Sequence, residues 1–190
     1  MHILKADSYR RTPWKNGGGE TSEIAVHPEG AGFDDFSWRV SMARVAADGP
    51  FSAFPGIDRT LSVLEGKGIA LDIDGRDPVV LTADSEPLRF AADATTFGRL
   101  VDGPISDLNV MTRRGRFDHR VTRRDVDGRI MLVVSGASLL FCAGPELQLA
   151  AEGVAERLGP WDAALFEGPA RSVAVEGNGR LLVVELRDID

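Results

Sequence analysis

The amino-acid sequence predicts an all-β protein in which two β-barrels, related by an internal repeat, occupy one chain. Three features lead to this prediction: many short apolar runs, frequent glycine turn signals, and an ordered series of segments that occurs twice. A chain of 190 residues is long enough for one good-sized core or for two small cores that share an interface.

The strand predictions rest on alternation. The segment Ile69–Asp74 alternates apolar and polar residues with period two, and Asp74-Gly75 then supplies a hairpin signal. A second turn dipeptide, Asn178-Gly179, precedes the final apolar run. Helical candidates are confined to 7–10 and 153–158. Further strands are expected at 60–64, 78–81, 95–101, 108–112, 130–134, 139–142 and 181–186.

The repeat sets the expected domain boundaries. Residues 59–66 match 129–136, and at the same offset 69–71 falls on 139–141. We therefore expect a first barrel at 1–118, with the Gly-rich segment and a ligand site, and a more apolar second barrel at 119–190. The N-terminal strands could be exchanged between the two barrels.

Composition excludes several classes of partner. Twenty-two basic against 29 acidic residues give a net charge of −7, which argues against affinity for nucleic acid or anionic membranes. No apolar stretch is long enough to span a bilayer, the N-terminus lacks an apolar signal region, and Cys142 has no second cysteine to pair with. These features favour a cytoplasmic protein. A homodimer formed through sheet edges is compatible with the sequence, which does not decide it.

Metal and cofactor sites are not predicted. The histidines His2, His27 and His119 form no His-x-His pair, and no cysteine cluster exists. The sequence also lacks Gly-x-Ser-x-Gly, and the Gly-rich run lacks the Lys-Ser/Thr ending of a phosphate-binding loop. We therefore expect a metal-independent protein without a cofactor.

The Gly-rich run suggests a binding segment. Gly17, Gly18 and Gly19 follow Trp14 and Asn16, and consecutive glycines suit a place where the backbone turns sharply or approaches something closely. In the functional interpretation Trp14 and Asn16 cover a ligand cavity. In the structural one, Trp14 packs on the barrel and the glycines are a surface loop.

Two arginines are the candidate anion-binding groups. Arg59 begins a predicted strand, and its planar guanidinium suits a carboxylate; the alternative is a structural ion pair with Asp58 or Asp107. In the strand around Trp38, alternation places Arg39 and Ser41 on the face opposite that residue, either in the barrel mouth or in solvent.

The remaining candidates flank these arginines along the chain. Asn109 shares a strand face with Met111 and Arg113, and its amide could bind a ligand or bridge strands. Asp58 is a candidate ligand-binding residue and the candidate general base, with Glu23 as an alternative base. The expected ligand site thus comprises Trp14, Asn16, Arg39, Ser41, Asp58, Arg59, Asn109 and Arg113.

Four segments occur in a specific order: 13–19, 38–41, 51–59 and 107–115, which begin Pro-Trp-Lys-Asn, Trp-Arg-Val-Ser, Phe-Ser-Ala-Phe and Asp-Leu-Asn-Val. As a set they resemble the HutD/Ves family of cupin-like, jelly-roll proteins. The resemblance covers about the first 115 residues and implies two cupin-type barrels. It also implies a link to histidine utilisation or stress response and a regulatory role based on binding a small molecule.

Taken together, the residues and the resemblance predict a protein that binds a small anionic metabolite, such as a carboxylate from histidine breakdown, in the first barrel. Two alternatives remain open. The first is a metal-independent cupin enzyme that performs acid–base chemistry such as isomerisation. The second is an interaction module whose Gly-rich loop contacts a protein partner.

Overall fold

The computed structural model describes residues 1–15 and 17–189, and over these ranges the chain is all-β, as predicted. Helical structure in the described ranges is limited to one 3-10 turn, Ala6–Ser8. The strands are β1 (His2–Leu4), β2 (Arg10–Pro13), β3 (Gly19–His27), β4 (Trp38–Val45), β5 (Gly49–Pro50), β6 (Ile57–Glu65), β7 (Ile69–Ile73), β8 (Val79–Leu81), β9 (Leu88–Ala91), β10 (Thr96–Leu100), β11 (Ile105–Arg113), β12 (Phe117–Val134), β13 (Ala137–Cys142), β14 (Leu147–Ala151), β15 (Val154–Leu158), β16 (Ala163–Phe166) and β17 (Arg171–Asp188).

The chain divides into two compact units. The larger unit contains Arg10–Phe117 with Ile189, and the smaller contains Met1–Tyr9 with Asp118–Asp188. The larger unit has a six-stranded sheet, ordered β2-β3-β4-β11-β6-β9, and a four-stranded sheet, ordered β5-β10-β7-β8. In the smaller unit the order is β1-β16-β13-β17-β14-β15, and β12 also pairs with β17.

The hairpin predicted after Ile73 is confirmed. β7 ends at that residue, and the N–H of Arg76 donates to the carbonyl of Ile73 at 3.0 Å. Gly75 has φ of 77°, a conformation that glycine adopts without the steric cost of a side chain. The turn returns the chain to β8, which pairs with β7 in antiparallel register.

Two local predictions are wrong. Asn178-Gly179 lies inside β17 and does not form a hairpin; there the strand exchanges partners, since Gly177 is its last residue opposite β14 and Leu181 its first opposite β13. A Cβ on Gly177 would lie 2.8 Å from Leu147 Cδ2, so glycine at this position allows the two strands to pack closely. The second wrong prediction is the helix at 153–158, where β15 instead pairs with all of β14.

The two sheets of the larger unit enclose an apolar cluster. Side chains from both contribute, with Leu61 and Phe90 from the six-stranded sheet and Leu71 and Ile73 from the other. Their burial drives the two faces together. The same inner face of the six-stranded sheet also carries polar residues, which are costly there unless they are paired.

No helix among the described residues has the length and apolar character needed to cross a lipid bilayer.

Candidate functional site

The polar residues predicted for β4, β6 and β11 share the inner face of the six-stranded sheet. Met111 lies opposite Arg39 on one side and Arg59 on the other, and Asn109 lies opposite Ser41. Because residues opposite each other across antiparallel strands point to the same face, these side chains converge. The two arginines are two strand spacings apart, about 10 Å between backbones. The structure therefore brings together Arg39, Ser41, Arg59 and Asn109.

Arg39 is paired with a carboxylate and with a hydroxyl group. Its Nε donates to Glu23 Oε2 at 2.9 Å, and one terminal nitrogen donates to Ser41 Oγ at 3.4 Å. Arg10 donates to the other oxygen of Glu23, also at 2.9 Å. The ring centroid of Phe33 lies 4.8 Å from the Arg39 guanidinium carbon. Arg39 is therefore a buried cation whose charge is compensated by a carboxylate.

Arg59 has almost no polar partners, although only 5% of it is exposed. Within the described part of the chain, its Nε donates to no acceptor, and one terminal nitrogen reaches the Ser52 carbonyl at 3.5 Å. Phe51 and Phe54 have ring centroids 5.4 Å from the guanidinium carbon, and Phe90 lies at 5.9 Å. Aromatic faces stabilise a cation but cannot accept its N–H hydrogen bonds in full. A buried donor without an acceptor costs about 1–3 kcal/mol, so this arginine needs an explanation.

Asp107 lies on the same inner face and is 1% exposed. Its Oδ1 accepts a hydrogen bond from Asn109 Nδ2. Burial raises the pKa of Asp107 to about 7, against the opposing effects of the Arg59 charge and the Asn109 hydrogen bond. Burial likewise lowers the pKa of Arg59 to about 10, which leaves its guanidinium protonated at neutral pH. The interior thus holds one buried carboxyl group close to titration.

Two loops lie over the guanidinium groups. Phe33, from the loop before β4, and Phe54, from the loop before β6, have ring centroids 5.7 Å apart. Arg113 fixes the first loop, because its Nε donates to the Phe36 carbonyl at 3.0 Å and a terminal nitrogen donates to the Asp34 carbonyl at 2.8 Å. Arg113 therefore positions this loop with its guanidinium.

Trp14 and the Gly-rich run form the connection between β2 and β3. The indole Nε1 donates to Thr21 Oγ1 at 2.8 Å, and the ring packs against the apolar cluster between the sheets. A Cβ on Gly19 would lie 2.3 Å from the Arg44 carbonyl oxygen and 3.0 Å from the indole. Close packing thus accounts for Gly19 and for the position of Trp14. Asn16, the other residue predicted to cover the cavity, lies outside the described residues.

Asp58 is not brought into the cluster. It neighbours Arg59 in sequence and so points to the other face of β6, where it accepts hydrogen bonds from Arg89 and Arg114, each at 2.9 Å. Burial raises its pKa, but these two ion pairs outweigh that effect and hold the pKa below its ordinary range. An ionised, paired carboxylate at this position is a poor general base, which corrects the role expected for it.

The histidines have separate environments. His27 stacks on Trp38 with ring centroids 5.6 Å apart, and His119 is buried elsewhere. No group of three or more His, Cys, Asp or Glu side chains suited to a metal ion occurs among the residues that the structure describes. Metal independence stays a prediction.

Two surface clefts lie away from the arginine cluster. One is lined by Asp125 and Arg180 among others, and the second by Asp72 and Asp74 with two neighbours. Neither is lined by Arg39 or Arg59. The residues of the arginine cluster are buried, between 2% and 9% exposed, so a ligand must separate the covering side chains to enter it.

Sequence reasoning missed two parts of this site. Asp107 was considered only as an ion-pair partner, although period-two alternation along β11 places it on the face of Asn109. The phenyl rings of Phe33, Phe51 and Phe54 come from loops, where no periodicity indicates which way a side chain points. Only Phe90 lies in a strand, directly opposite Arg59.

Comparison with known proteins identifies the family. A family model described as HutD matches residues 6–183. The chain belongs to the HutD family. A relative from Pseudomonas putida, described as an uncharacterized 21.2 kDa protein in the hutC 3' region, is 34% identical over 187 residues, which is 98% of this chain and 97% of the relative. The protein Ves of Citrobacter koseri is 38% identical over 133 residues, covering 65% of this chain and 68% of Ves.

Solved structures agree with this assignment. HutD from Pseudomonas fluorescens SBW25, determined in a formate condition, has a TM-score of 0.86 and 32% identity and covers 100% of this chain and 99% of its own. A cupin barrel protein from Leptotrichia buccalis has a TM-score of 0.60 at 10% identity, with 97% and 100% covered. At that identity the likeness establishes only the fold, which is cupin-like.

Proposed function

We propose that this HutD-family protein binds a small carboxylate against Arg59, inside the larger unit. The observation that carries the proposal is the Nε of Arg59, which is buried and has no acceptor in the described part of the chain. A carboxylate would supply two acceptor oxygens in the planar geometry that a guanidinium matches. Binding would thereby remove the cost of the unpaired donor.

Arg39 supports the site without being its main contact. Its charge is compensated by Glu23, so an incoming anion gains less from it than from Arg59. Asn109, already bonded to Asp107, retains a carbonyl oxygen and a second N–H that can orient a ligand. The closed interior and its phenyl rings favour a small ligand with little polar surface beyond the carboxylate.

The descriptions of the relatives support a metabolic role. One lies in the hutC 3' region and another is named HutD, so we assign this protein to the control of histidine utilisation, where a carboxylate from the pathway would be the signal. The resemblance to the HutD/Ves family also implies a link to stress response, which stays part of the same proposal. We place the protein in the cytoplasm, where such metabolites occur.

We also propose that the two units are two cupin-type barrels descended from one. Pairing partners support this: β6 pairs with β11 and β7 with β10 in the larger unit, while β12 pairs with β17 and β13 with β16 in the smaller. At the position of the internal repeat that corresponds to Asn109, the smaller unit has Ala174. The buried cluster of the smaller unit is apolar. Ligand binding is accordingly assigned to the larger unit.

Calorimetric titration tests the binding proposal. Wild-type protein is titrated with formate, glutamate, N-formylglutamate and urocanate, beside Arg59→Met and the control Arg129→Gln, which removes an exposed arginine in the smaller unit. Binding of at least one carboxylate by wild type and the control, and loss of that heat in Arg59→Met, is expected. Absence of heat with all four from folded wild type would overturn the proposal.

A second candidate is a metal-independent acid–base enzyme, and Asp107 favours it over Asp58. A buried carboxyl group with a pKa of about 7 exchanges a proton readily at neutral pH. Turnover of one of the four carboxylates, abolished in Asp107→Asn, would establish this activity. Binding of a carboxylate that is recovered unchanged would leave the binding role.

A further inference from the structure

Inside the larger unit, the charges of Arg39, Glu23, Arg59 and ionised Asp107 balance when no ligand is bound. Arg39 has Glu23 as its partner and Arg59 has Asp107, while the two further arginines of this face, Arg10 and Arg113, donate to Glu23 and to loop carbonyls. Arg39 and Glu23 form a direct ion pair at 2.9 Å. Arg59 and Asp107 compensate each other through space, because the nearest donor to Asp107 is the Asn109 amide. An anion on Arg59 therefore adds a second negative charge beside one cation.

Two carboxylates beside one buried guanidinium are unfavourable. In an interior of low dielectric constant, like charges repel strongly, and one carboxyl group then keeps its proton. Both carboxylate oxygens of Glu23 already accept hydrogen bonds, one from Arg39 and one from Arg10. Asp107 accepts a single amide hydrogen bond at Oδ1, so Oδ2 is the available position for a proton.

Among the described residues, the charged groups that face Asp107 come from its own sheet. The neighbouring strands of its own sheet contribute Glu23 from β3, Arg39 from β4 and Arg59 from β6. On β11 itself the further charged residue of this face is Arg113, which donates to loop carbonyls. On β2 the inward Arg10 donates to Glu23, and the inward positions of β7 to β10 are uncharged: Phe90 on β9, Ile69, Leu71 and Ile73 on β7, Leu81 on β8, and Thr96 and Gly98 on β10.

We propose that, where Asp107 is ionised in the free protein, each carboxylate bound at Arg59 enters together with one proton, which Asp107 takes up. This inference rests on the proposed carboxylate site and deepens it. The only covalent change is one O–H bond formed on Asp107 from a solvent proton, so the net charge of the interior is the same before and after binding. Asp107 is a positioning residue here, since it acts on the ligand through the charge balance of Arg59.

A definite pH dependence follows. Without ligand, burial holds the pKa of Asp107 at about 7, and the bound anion raises it further. Below that pH the proton is already present and binding takes up none. Above it, one proton enters with each anion, and affinity falls about tenfold per pH unit until the pKa of the complex is passed. The protein would therefore bind the anion most tightly under mildly acidic conditions.

Calorimetry with formate as the probe measures this coupling. Titrations in two buffers of different ionisation enthalpy give the number of protons taken up; we expect close to one per formate at about pH 8.5 and close to none at about pH 6. Asp107→Asn should bind without proton uptake, with an affinity independent of pH, and more tightly than wild type at the higher pH. Asp127→Asn, which changes an exposed aspartate in the smaller unit, is the matched control and should behave as wild type.

Each outcome decides a different proposal. Formate binding with equal affinity at both pH values, and no proton uptake, would overturn the coupling and leave the carboxylate site standing. No binding at either pH would overturn both. Should Asp107→Asn fail to fold, carboxyl-carbon NMR of wild-type Asp107 decides the matter: formate must raise its titration midpoint, and an unchanged midpoint contradicts the inference.

Discussion

Arg39 and Arg59 lie opposite the same residue, Met111, on the two sides of β11, yet only Arg39 has a carboxylate within hydrogen-bonding distance. One arginine is thus part of the folded framework, and the other is a cation held among phenyl rings with an unpaired Nε. By this difference in pairing, Arg39 stabilises the larger unit, whereas Arg59 is available to a ligand.

Replacing each of these arginines with methionine should therefore have opposite effects. Arg39→Met leaves the partly buried carboxylate of Glu23, whose side chain is 16% exposed, with Arg10 alone and should lower the free energy of unfolding by about 2–4 kcal/mol. Arg59→Met removes an unsatisfied donor and adds an apolar side chain among phenyl rings, so stability should stay within about 1 kcal/mol of wild type or rise. Urea unfolding at about pH 6, where Asp107 readily protonates, measures both. An equal loss in the two variants would contradict this distinction.

Asp107 should make stability depend on pH. Its folded-state pKa of about 7 exceeds the unfolded value of about 3.9, so the folded protein binds more protons between these values. The stability that comes from this group is complete below about pH 4 and is lost as pH rises through about 7. Asp107→Asn removes this titration. The free energy of unfolding of the variant should therefore rise relative to that of wild type, by up to a few kcal/mol, as pH increases across this range. A constant difference between the two urea-unfolding curves at every pH would show that Asp107 does not titrate there.

Asp58 should prove dispensable for binding. The ion pairs of Asp58 with Arg89 and Arg114 lie near the surface, where such pairs contribute little to stability. Asp58→Asn should therefore lower the free energy of unfolding by about 1 kcal/mol or less. Formate titration of this variant should match wild type, because the side chain points away from Arg59. A loss of binding comparable to that of Arg59→Met would place Asp58 in the site after all.

The glycines after Trp14 should differ sharply in their tolerance of substitution. A Cβ on Gly19 meets the Arg44 carbonyl oxygen at 2.3 Å, whereas one on Gly17 meets nothing within 4 Å and is disfavoured only by φ of 70°. Gly17→Ala should therefore lower the free energy of unfolding by about 1 kcal/mol, and Gly19→Ala should lower it clearly more. Thermal unfolding of the two variants provides the comparison, and a similar loss in both would indicate that close packing is not the reason for this glycine.

Alternation made much of the site predictable. Strand periodicity placed Arg39 and Ser41 on one face of β4, and Asn109 on one face of β11, and the pairing of these strands brought the faces together. The same rule separates Asp58 from Arg59, since consecutive residues of a strand point to opposite faces. Applied more strictly, the same rule would have removed Asp58 from the predicted ligand site and added Asp107 to it.

Other features were beyond local reasoning because they depend on tertiary contacts. Phe33 and Phe54 meet only after two loops far apart in sequence are brought together. The dipeptide Asn178-Gly179 has the composition of a hairpin, but β17 has partners available on both sides of it, and strand pairing overrides the local preference. In both cases the deciding interactions come from distant parts of the chain.

The most direct test of carboxylate recognition observes the Nε–H group of Arg59 itself. In ¹H–¹⁵N NMR spectra of the wild-type protein at about pH 6, added formate should shift this signal downfield as a charge-assisted hydrogen bond forms, while the Nε–H signal of Arg39, already bonded to Glu23, moves little. An Arg59 signal that stays in place at saturating formate would contradict a carboxylate site at this arginine.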